Sequence, residues 1–284
     1  MKALVVGADG QLGRELVARL QGDLVWSGGR AELDVTNANA VLTVLERARP
    51  DVVFNAAADN RVDRAELEPG RALEVNALAA HALALAVRET GARTVHFSTD
   101  YVFDGEIDRP YREDDAARPL SCYGVSKLAG ELMVAVVDPA HLTVRTSGVI
   151  GAGGSRQKGG SFVERILAQA REGRPLRVVS DQRFAPTVAG DLAEAAIALA
   201  RAGVRGLVHV TNEGSCSWHE LASAALEMAG MAAPVEAIRA ADLDLPARRP
   251  AYSVLDTSRY RGLGQPPLRP WREALVECLP ARSD

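Results

Sequence analysis

The sequence is poor in the residues that mark several protein classes. It has only three cysteines among 284 residues, and Cys122, Cys216 and Cys278 lack the spacing of metal ligands. An odd cysteine count without such a pattern argues against a disulfide framework and fits a reducing cytoplasm. The net charge is only −4, and the basic residues are scattered. We therefore expect neither nucleic acid nor a membrane surface as a partner.

Long hydrophobic runs are also absent. The longest uncharged apolar stretch, residues 75–87, is too short to span a bilayer and contains an asparagine and a histidine. No signal-peptide pattern precedes the first apolar run. We therefore expect a cytoplasmic protein whose partner is a small molecule. The 47% hydrophobic content is enough to fill a substantial core.

A glycine-rich turn follows the first apolar segment. Residues 2–6 are typical of a buried parallel strand, and residues 14–20 of a helix. Between them Gly7, Gly10 and Gly13 have the spacing of a dinucleotide-binding fingerprint. Gly7 permits a tight turn, Gly10 lets backbone approach a pyrophosphate, and Gly13 lets the helix lie close to the strand. A turn that binds no ligand is the alternative, and the order strand, glycines, helix disfavours it.

A second pattern places Tyr123 four residues before Lys127, on one face of a predicted helix. An ammonium group beside a phenol favours the phenolate, so we expect the pKa of Tyr123 to be lowered and the phenol to exchange a proton near neutral pH. Alone, the pair is more often a packing tyrosine and a solvated lysine. The glycine turn in the same chain favours the catalytic interpretation.

Strand and helix patterns alternate along the first half of the chain, including a long helical stretch predicted from Pro69 to Gly91. This alternation predicts an α/β fold with a doubly wound parallel Rossmann sheet and a small substrate lobe on its C-terminal side. We assign residues 1–150, with about 187–211, to an NAD(P)-binding domain. Residues of about 151–186 and 212–284 form the predicted substrate-binding lobe, whose tail is rich in proline.

The segment Ser98-Thr99-Asp100-Tyr101-Val102-Phe103-Asp104-Gly105 completes a recognisable set with the glycine turn and the Tyr123/Lys127 pair. Together they resemble the extended short-chain dehydrogenase/reductases (SDR), and in particular their dTDP-4-dehydrorhamnose reductase branch. The resemblance covers nearly the whole chain. It also includes Gly10-Gln11-Leu12-Gly13, Asn55-Ala56-Ala57-Ala58, Arg145-Thr146-Ser147 and Arg249-Pro250.

The resemblance implies an NAD(P)H-dependent oxidoreductase that reduces the C4 ketone of a dTDP-4-keto-6-deoxy sugar. The leading candidate is the step of dTDP-rhamnose biosynthesis that converts dTDP-4-dehydro-L-rhamnose to dTDP-L-rhamnose. In the implied mechanism, Tyr123 donates the proton, Lys127 holds the phenolate and the nicotinamide ribose, and Thr99 hydrogen-bonds the carbonyl oxygen.

The expected cofactor contacts divide into phosphate, adenine and ribose sites. They are Gly7, Gly10, Gln11, Leu12 and Gly13 for the phosphates, Asp34 and Val35 for adenine, and Ala56, Ala57 and Ala58 for the ribose and pyrophosphate. The second strand lacks the terminal acid that holds the 2′-hydroxyl of NAD, and Arg30 follows it instead. A guanidinium suits a 2′-phosphate, so the sequence predicts NADPH, with NADH as the alternative.

The predicted substrate contacts are Asp100 and Tyr101 for the sugar, with Arg183, Phe184 and Arg249 for the dTDP portion. Two positions depart from the branch: Gly148 stands where tryptophan is frequent, and Tyr252 where asparagine is frequent. Some relatives form dimers bridged by magnesium through glutamates. Glu15 fits that pattern, but Gly190 stands at the second acidic position, so we predict no bridging metal and either a monomer or a homodimer.

Two other functions agree with the same residues. One is a different nucleotide-sugar reductase or epimerase of the extended SDR family. The other is a non-catalytic, NADP-binding regulatory subunit resembling the β subunit of methionine adenosyltransferase. The intact set of Thr99, Tyr123 and Lys127 argues against a purely binding role.

Overall fold

The computed structural model of the protein describes residues 1–154 and 160–279. Its strands are β1 (Ala3–Val6), β2 (Leu24–Gly28), β3 (Val52–Asn55), β4 (Arg93–Thr99), β5 (Leu142–Thr146), β6 (Val149–Ile150), β7 (Leu176–Val179), β8 (Arg183–Phe184), β9 (Thr187–Val188), β10 (Gly206–His209), β11 (Cys216–Ser217) and β12 (Val235–Ile238).

The helices alternate with these strands. They are α1 (Gln11–Leu20), α2 (Ala38–Ala48), α3 (Val62–Leu67), α4 (Pro69–Leu73), α5 (Ala79–Glu89), α6 (Cys122–Val137), α7 (Phe162–Arg171), α8 (Ala189–Arg201), α9 (Trp218–Met228), α10 (Ser258–Gly262) and α11 (Trp271–Ala274). Among these described helices, none is long and apolar enough to cross a membrane.

A parallel sheet in the order β2-β1-β3-β4-β5-β10 forms the centre of the molecule. Strands β1 and β3 are buried along their whole length, as short apolar runs covered by helices on both faces should be. Helices α1 and α8 pack on one face, and α2 and α5 on the other. The alternation of strands and helices predicted this fold, and the structure confirms it.

The order of the strands reverses beside β1, because the chain first adds β2 on one side and then β3 on the other. Parallel sheets bind ligands at such a switch point, outside the carboxyl ends of the strands. The glycine turn after β1 and the ends of β3 and β4 therefore lie at the edge where a site is expected.

A second hydrophobic core lies between α7, α9 and β7. Both helices begin with a capping box, in which a serine accepts from the backbone of the third helical residue and a glutamate bonds back: Ser161 with Glu164, and Ser217 with Glu220. The strand pairs β7–β12, β8–β11 and β6–β9 complete this part of the molecule. The separate core supports the proposed division into a sheet domain and a lobe, whose boundaries stay a prediction.

The helix predicted from Pro69 to Gly91 is interrupted in the structure. A π-helical turn, Glu74–Leu78, separates α4 from α5. Within it the Asn76 side chain accepts from the Asp59 amide at 2.8 Å, and donates to the Asp59 carbonyl and to Ser126 Oγ, both at 2.9 Å. These partners lie far away in sequence, so helical periodicity gives no sign of the irregular turn.

Helix α6 packs so closely on its neighbours that two of its positions have no space for a side chain. A Cβ atom at Gly130 would overlap the Asn76 carbonyl oxygen, and one at Gly124 would overlap the Tyr101 carbonyl oxygen. Glycine inside a helix normally destabilises it by about 0.5–1 kcal/mol relative to alanine. Here close backbone approach explains why glycine is present.

Replacing Gly130 with alanine tests this packing. The added methyl group must push α6 away from Asn76, so we expect Gly130→Ala to destabilise the fold by about 1–3 kcal/mol, measured as the free energy of urea unfolding. Gly70→Ala in α4 is the matched control, because no atom lies within 4 Å of its added Cβ. The control should unfold at equal or slightly higher urea. Equal losses in both variants would contradict the close-approach argument.

Candidate active site

A single cleft of about 1120 Å³ opens at the carboxyl ends of β1, β3, β4 and β5 and reaches under the lobe. It brings together nearly all of the residues that the sequence analysis selected. Those lining it are Gly7, Gly10, Gln11, Leu12, Arg30, Asp34, Val35, Ala56, Ala57, Ala58, Thr99, Asp100, Tyr101, Tyr123, Lys127, Arg183, Phe184 and Arg249. Gly13 does not line the cleft.

The glycine turn forms the floor of one end of the cleft. Gly7 has φ +79°, and a Cβ there would lie 2.6 Å from the Ala57 nitrogen, so only glycine fits. Gly13 sits beneath the turn, where a Cβ would overlap the Gly7 carbonyl oxygen. Gly13 therefore allows close packing of α1 on β1, as the sequence predicted, while its predicted contact with phosphate stays a prediction.

The N-terminus of α1 is suited to an anion. Gly10 is its N-cap, and no side chain bonds the amides of the first turn. The buried Gln11 Nε2 also has no hydrogen-bond partner among the described residues. Free amides, the positive end of the helix dipole and an unused side-chain donor together fit the pyrophosphate of a dinucleotide.

The adenosine end of the cleft carries charges of both signs. Arg30 is 67% exposed, and its Nε lies 3.7 Å from Asp34 Oδ2. A hydrogen bond from the Thr36 hydroxyl is the largest influence on the pKa of Asp34, which is lowered. Sequence reasoning missed Asp9, whose carboxylate lies against Gly29 just beyond β2 and lines the cleft. Its position inside the glycine turn, between Gly7 and Gly10, was the sequence feature that could have identified it.

Thr99, Tyr123 and Lys127 meet in the middle of the cleft. Tyr123 lies in the first turn of α6, Lys127 one turn later, and Thr99 at the end of β4. The Thr99 hydroxyl contacts the phenol of Tyr123. Lys127 is 3% exposed, and its Nζ donates to the Phe97 carbonyl at 2.6 Å. The ring of Tyr101 stands edge-on to that of Tyr123, with centroids 6.0 Å apart.

The pKa of Tyr123 shifts in the direction opposite to the one expected from the Tyr123/Lys127 spacing. Burial raises it to about 12, and the hydrogen bond with Thr99 offsets only part of that effect. The expectation of an acidified phenol is therefore not met, because burial raises the pKa and the nearby carboxylates of Asp100 and Asp59 raise it further. A phenol with this pKa keeps its proton at neutral pH, which suits donation to a ketone oxygen.

The side chain of Lys127 is affected by the same burial. Its pKa falls from 10.5 to about 8, mainly because burial disfavours the ammonium, while the nearby Glu131 acts in the opposite direction. Glu131 itself is paired with Arg145 at 2.6 Å, and both side chains are buried. Lys127 is therefore charged at pH 7, with a smaller margin than an exposed lysine.

Asp100 lies at the base of the cleft and is only 2% exposed. Its carboxylate accepts hydrogen bonds from the hydroxyls of Thr99 (3.0 Å), Ser147 (2.8 Å) and Ser253 (2.5 Å). Sequence reasoning selected neither serine as a site residue, because each lies far from Asp100 in the sequence. The predicted contact of Asp100 with the sugar stays a prediction, and protein hydroxyls already occupy both of its oxygens.

The two arginines predicted to bind diphosphate are both paired with acids. Arg249 Nη2 lies 2.7 Å from Asp63 Oδ2, and Arg249 also contacts Tyr101. Arg183 lies 3.3 Å from Glu220. Their positions on the cleft agree with the prediction, but each charge is at least partly neutralised within the protein.

An aromatic wall closes the lobe side of the cleft. Phe184 stacks on Trp218 with centroids 4.0 Å apart, and Phe162 packs on Trp218 in a tilted arrangement with centroids 4.9 Å apart. Gly148 has φ +48°, and a Cβ there would overlap the Phe184 ring. Phe184 therefore fills the space that a side chain at position 148 would enter. Trp218 and Phe162 were missed because they lie on helices of the lobe.

The described residues contain no cluster of three or more His, Cys, Asp or Glu side chains that could hold a metal ion. Arg19 bonds both Glu15 and Glu194, and a Cβ at Gly190 would approach the Arg19 guanidinium to 2.5 Å. Arg19 thus lies between Glu15 and Gly190, and Gly190 is the position where magnesium-bridged relatives carry the second acid. The absence of a bridging metal stays a prediction.

Comparison with known proteins agrees with this geometry. The family described as "RmlD substrate binding domain" matches residues 1–283. A dTDP-4-dehydrorhamnose reductase of Streptomyces griseus is 42% identical over 98% of this chain and 93% of its own length. A probable dTDP-4,6-dihydroxy-2-methyloxan-3-one 4-ketoreductase of Streptomyces antibioticus is also 42% identical, over 99% and 95%.

A solved structure gives the same result. The dTDP-4-dehydrorhamnose reductase of Bacillus anthracis, in complex with NADP, superposes with a TM-score of 0.92 at 34% identity, covering 97% of this chain and 98% of the other. The chain therefore belongs to the RmlD family of dTDP-4-keto-6-deoxy-sugar reductases. It is an NAD(P)H-dependent oxidoreductase of the extended SDR type, as its sequence motifs predicted.

Lys127→Met tests the cost of burying the ammonium. A pKa lowered from 10.5 to about 8 corresponds to about 3 kcal/mol against the charged group in the folded protein. At pH 7 we expect the variant to be more stable by roughly 1–3 kcal/mol in urea unfolding, and to lose turnover.

The pH dependence gives the sign of this effect. Between pH 8 and 10.5 the unfolded chain holds the lysine proton and the folded protein does not. The parent protein therefore gains stability from this group as the pH rises, and its deficit relative to Lys127→Met should disappear. Lys2→Met, at an exposed lysine, is the control and should change stability little at either pH. A gap that persists at high pH would contradict the assignment.

Proposed function

We propose that this protein uses NADPH to reduce the C4 ketone of a dTDP-4-keto-6-deoxy sugar, with dTDP-4-dehydro-L-rhamnose as substrate and dTDP-L-rhamnose as product. The observation that carries the proposal is the meeting of Tyr123, Lys127 and Thr99 in one cleft with an uncapped helix N-terminus. The names of the relatives from Streptomyces griseus and Bacillus anthracis support the choice of sugar.

In this mechanism the bound nicotinamide supplies the hydride that reaches C4. Tyr123 gives its proton to the oxygen at C4, and its raised pKa ensures that the proton is present at neutral pH. Lys127, held by the Phe97 carbonyl, keeps a positive charge beside the phenolate that forms. Thr99 contacts the phenol of Tyr123 and, because its own proton is donated to Asp100, orients that phenol and does not donate to the substrate oxygen. These fixed groups supply preorganised charge stabilisation.

The preference for NADPH rests on Arg30. Its guanidinium is mostly exposed at the adenosine end and only loosely associated with Asp34, so it is available to a 2′-phosphate. Asp9 and Asp34 lie nearby and oppose a second negative charge. We therefore expect NADPH to be preferred by a modest factor, with NADH as a usable alternative.

A different dTDP-4-keto sugar is the second candidate. Phe184 fills the space beside Gly148, where many reductases of the branch carry tryptophan, so the wall of the sugar pocket differs. The relative from Streptomyces antibioticus carries the name of a different 4-ketoreductase. Product analysis after incubation with NADPH and a panel of dTDP-4-keto sugars distinguishes the two.

Tyr123→Phe tests the proton donor. Removing only the hydroxyl should lower kcat with dTDP-4-dehydrorhamnose by ~10²-fold or more, measured as loss of NADPH absorbance, while the Kd for NADPH stays unchanged. Tyr260→Phe is the control, because Tyr260 is also buried but lies outside the cleft, on α10. Near-normal turnover in Tyr123→Phe, or no turnover of any dTDP-4-keto sugar by the parent protein, would reject the proposal.

Arg30→Ala tests cofactor choice. Loss of a charge-assisted hydrogen bond should weaken NADPH binding by about tenfold or more, with little change in the Kd for NADH. Arg177→Ala is the control, since Arg177 is an exposed cation on the lobe side of the same cleft and should not alter the ratio of the two constants. A parent protein at least about tenfold more efficient with NADH would overturn the NADPH preference.

A further inference from the structure

The carboxylate of Asp100 is an unusual group to find at the base of this cleft. It is nearly fully buried, and no lysine or arginine of the described residues forms an ion pair with it. Its side-chain partners in the described part of the chain are neutral hydroxyls: Oδ1 accepts from Thr99, and Oδ2 accepts from Ser147 and Ser253. A buried charge without a counter-ion is costly, so an arrangement of this kind calls for an explanation beyond stability.

The three hydroxyls come from three separate parts of the chain. Thr99 ends β4, and Ser147 follows β5. Ser253 belongs to the C-terminal segment that lies along β8, where the Arg183 amide donates to the Ala251 carbonyl at 2.8 Å and the Ser253 amide to the Arg183 carbonyl at 2.9 Å. Asp100 therefore joins two strand ends of the sheet to the lobe, at a residue next to the reacting groups.

This arrangement determines which hydrogen bonds the Thr99 hydroxyl donates and which it accepts. A hydroxyl group has one proton, and that of Thr99 is donated to Asp100 at 3.0 Å. The Thr99 oxygen in turn accepts from the Tyr101 amide at 3.2 Å and faces the phenol of Tyr123. Asp100 takes the Thr99 proton, and together with the Tyr101 amide it holds the Thr99 side chain in one rotation about its Cα–Cβ bond.

We propose that Asp100 is a positioning residue for Thr99, and that Ser147 and Ser253 influence the reaction through Asp100. In this arrangement Asp100 does not bind the sugar; it holds Thr99 in the orientation that the Tyr123 phenol requires. The inference rests on the proposed function for its effect on turnover. Its structural part, the fixed orientation of Thr99, does not.

The protonation of Asp100 agrees with this role. Burial raises its pKa to about 6, and the hydrogen bonds from Ser253, Ser147 and Thr99 oppose that rise in this order. The three hydroxyls therefore keep the carboxylate ionised at neutral pH. Ionised, it can only accept hydrogen bonds, which makes the direction of the Thr99 proton unambiguous.

Ser147→Ala is the sharpest test, because Ser147 is 1% exposed and is not among the residues that line the cleft. We expect kcat to fall by about tenfold, the effect of one lost hydrogen bond in a network, while the Kd values for NADPH and dTDP stay unchanged. Thr143→Val is the matched control: its hydroxyl is also buried on β5, but it has no partner among the described residues. It should leave kcat unchanged.

A double-mutant cycle separates positioning from general packing. If Ser147 acts through Asp100 on Thr99, Ser147→Ala should have no further effect on kcat in a Thr99→Val background. The same fold-loss in both backgrounds would overturn the proposal. So would a weaker affinity for dTDP, or a raised KM for the keto-sugar, with kcat unchanged, since that result would make the network part of substrate binding.

Crystal structures of the parent and Asp100→Ala proteins test the orientation of Thr99 independently of turnover. We expect one Thr99 rotamer in the parent protein, and a rotated or multiple conformation in the variant. If Asp100→Ala does not fold, Ser147→Ala/Ser253→Ala keeps the aspartate but removes both of its anchors and takes its place. An unchanged single rotamer would overturn the proposal. A rotated Thr99 in a protein that reduces no dTDP-4-keto sugar would reject the proposed function and leave the positioning role standing.

Discussion

The site depends on direct backbone contact between α6 and the segments on either side of it. Gly124 lies against the Tyr101 carbonyl, and Gly130 against the Asn76 carbonyl, so neither turn of the helix can shift alone. Tyr123 directly precedes the contact at Gly124, and Lys127 lies between the two contacts. Two missing side chains thus determine where a phenol and an ammonium lie relative to β4. The π-helical turn at Asn76 belongs to the same constraint, because it provides the surface that Gly130 meets.

Close packing also determines the protonation of these groups. It removes water from the phenol and the ammonium together, which raises the pKa of Tyr123 to about 12 and lowers that of Lys127 to about 8. Both shifts favour the neutral forms, so Lys127 stays charged at pH 7 only within a narrow margin. The Phe97 carbonyl and Glu131 supply the interactions that keep it so. The burial that suits this site to proton donation therefore also lowers the stability of the folded protein, as is common where function and stability compete.

Local patterns predicted the parts of this site that are local in the chain. The hydrophobic pattern changes from strand to helix periodicity across the turn from Gly7 to Gly13, and this change was visible in the sequence. The four-residue spacing of Tyr123 and Lys127 likewise predicted that both lie on one face of a helix. Features that depend on burial or on contacts between distant parts of the chain could not be predicted in this way. The direction of the Tyr123 pKa shift depends on burial, and the partners of Asp100 lie 47 and 153 residues away. Gly13 shows the limit of the fingerprint, which predicted its close packing but does not reveal which of its sides faces the ligand.

The two parts of the molecule divide the work of the proposed reaction. The sheet and α6 carry the proton donor and the cofactor cradle, while the lobe contributes the wall formed by Phe184 and Trp218. Because Phe184 occupies the space beside Gly148, the lobe shapes this side of the cleft. In the proposed reaction, changes in this wall leave the pocket free to accept a different keto-sugar without changes at Tyr123 or Lys127. Ser253 limits that freedom, since it reaches from the lobe to Asp100 and couples the wall's position to Thr99.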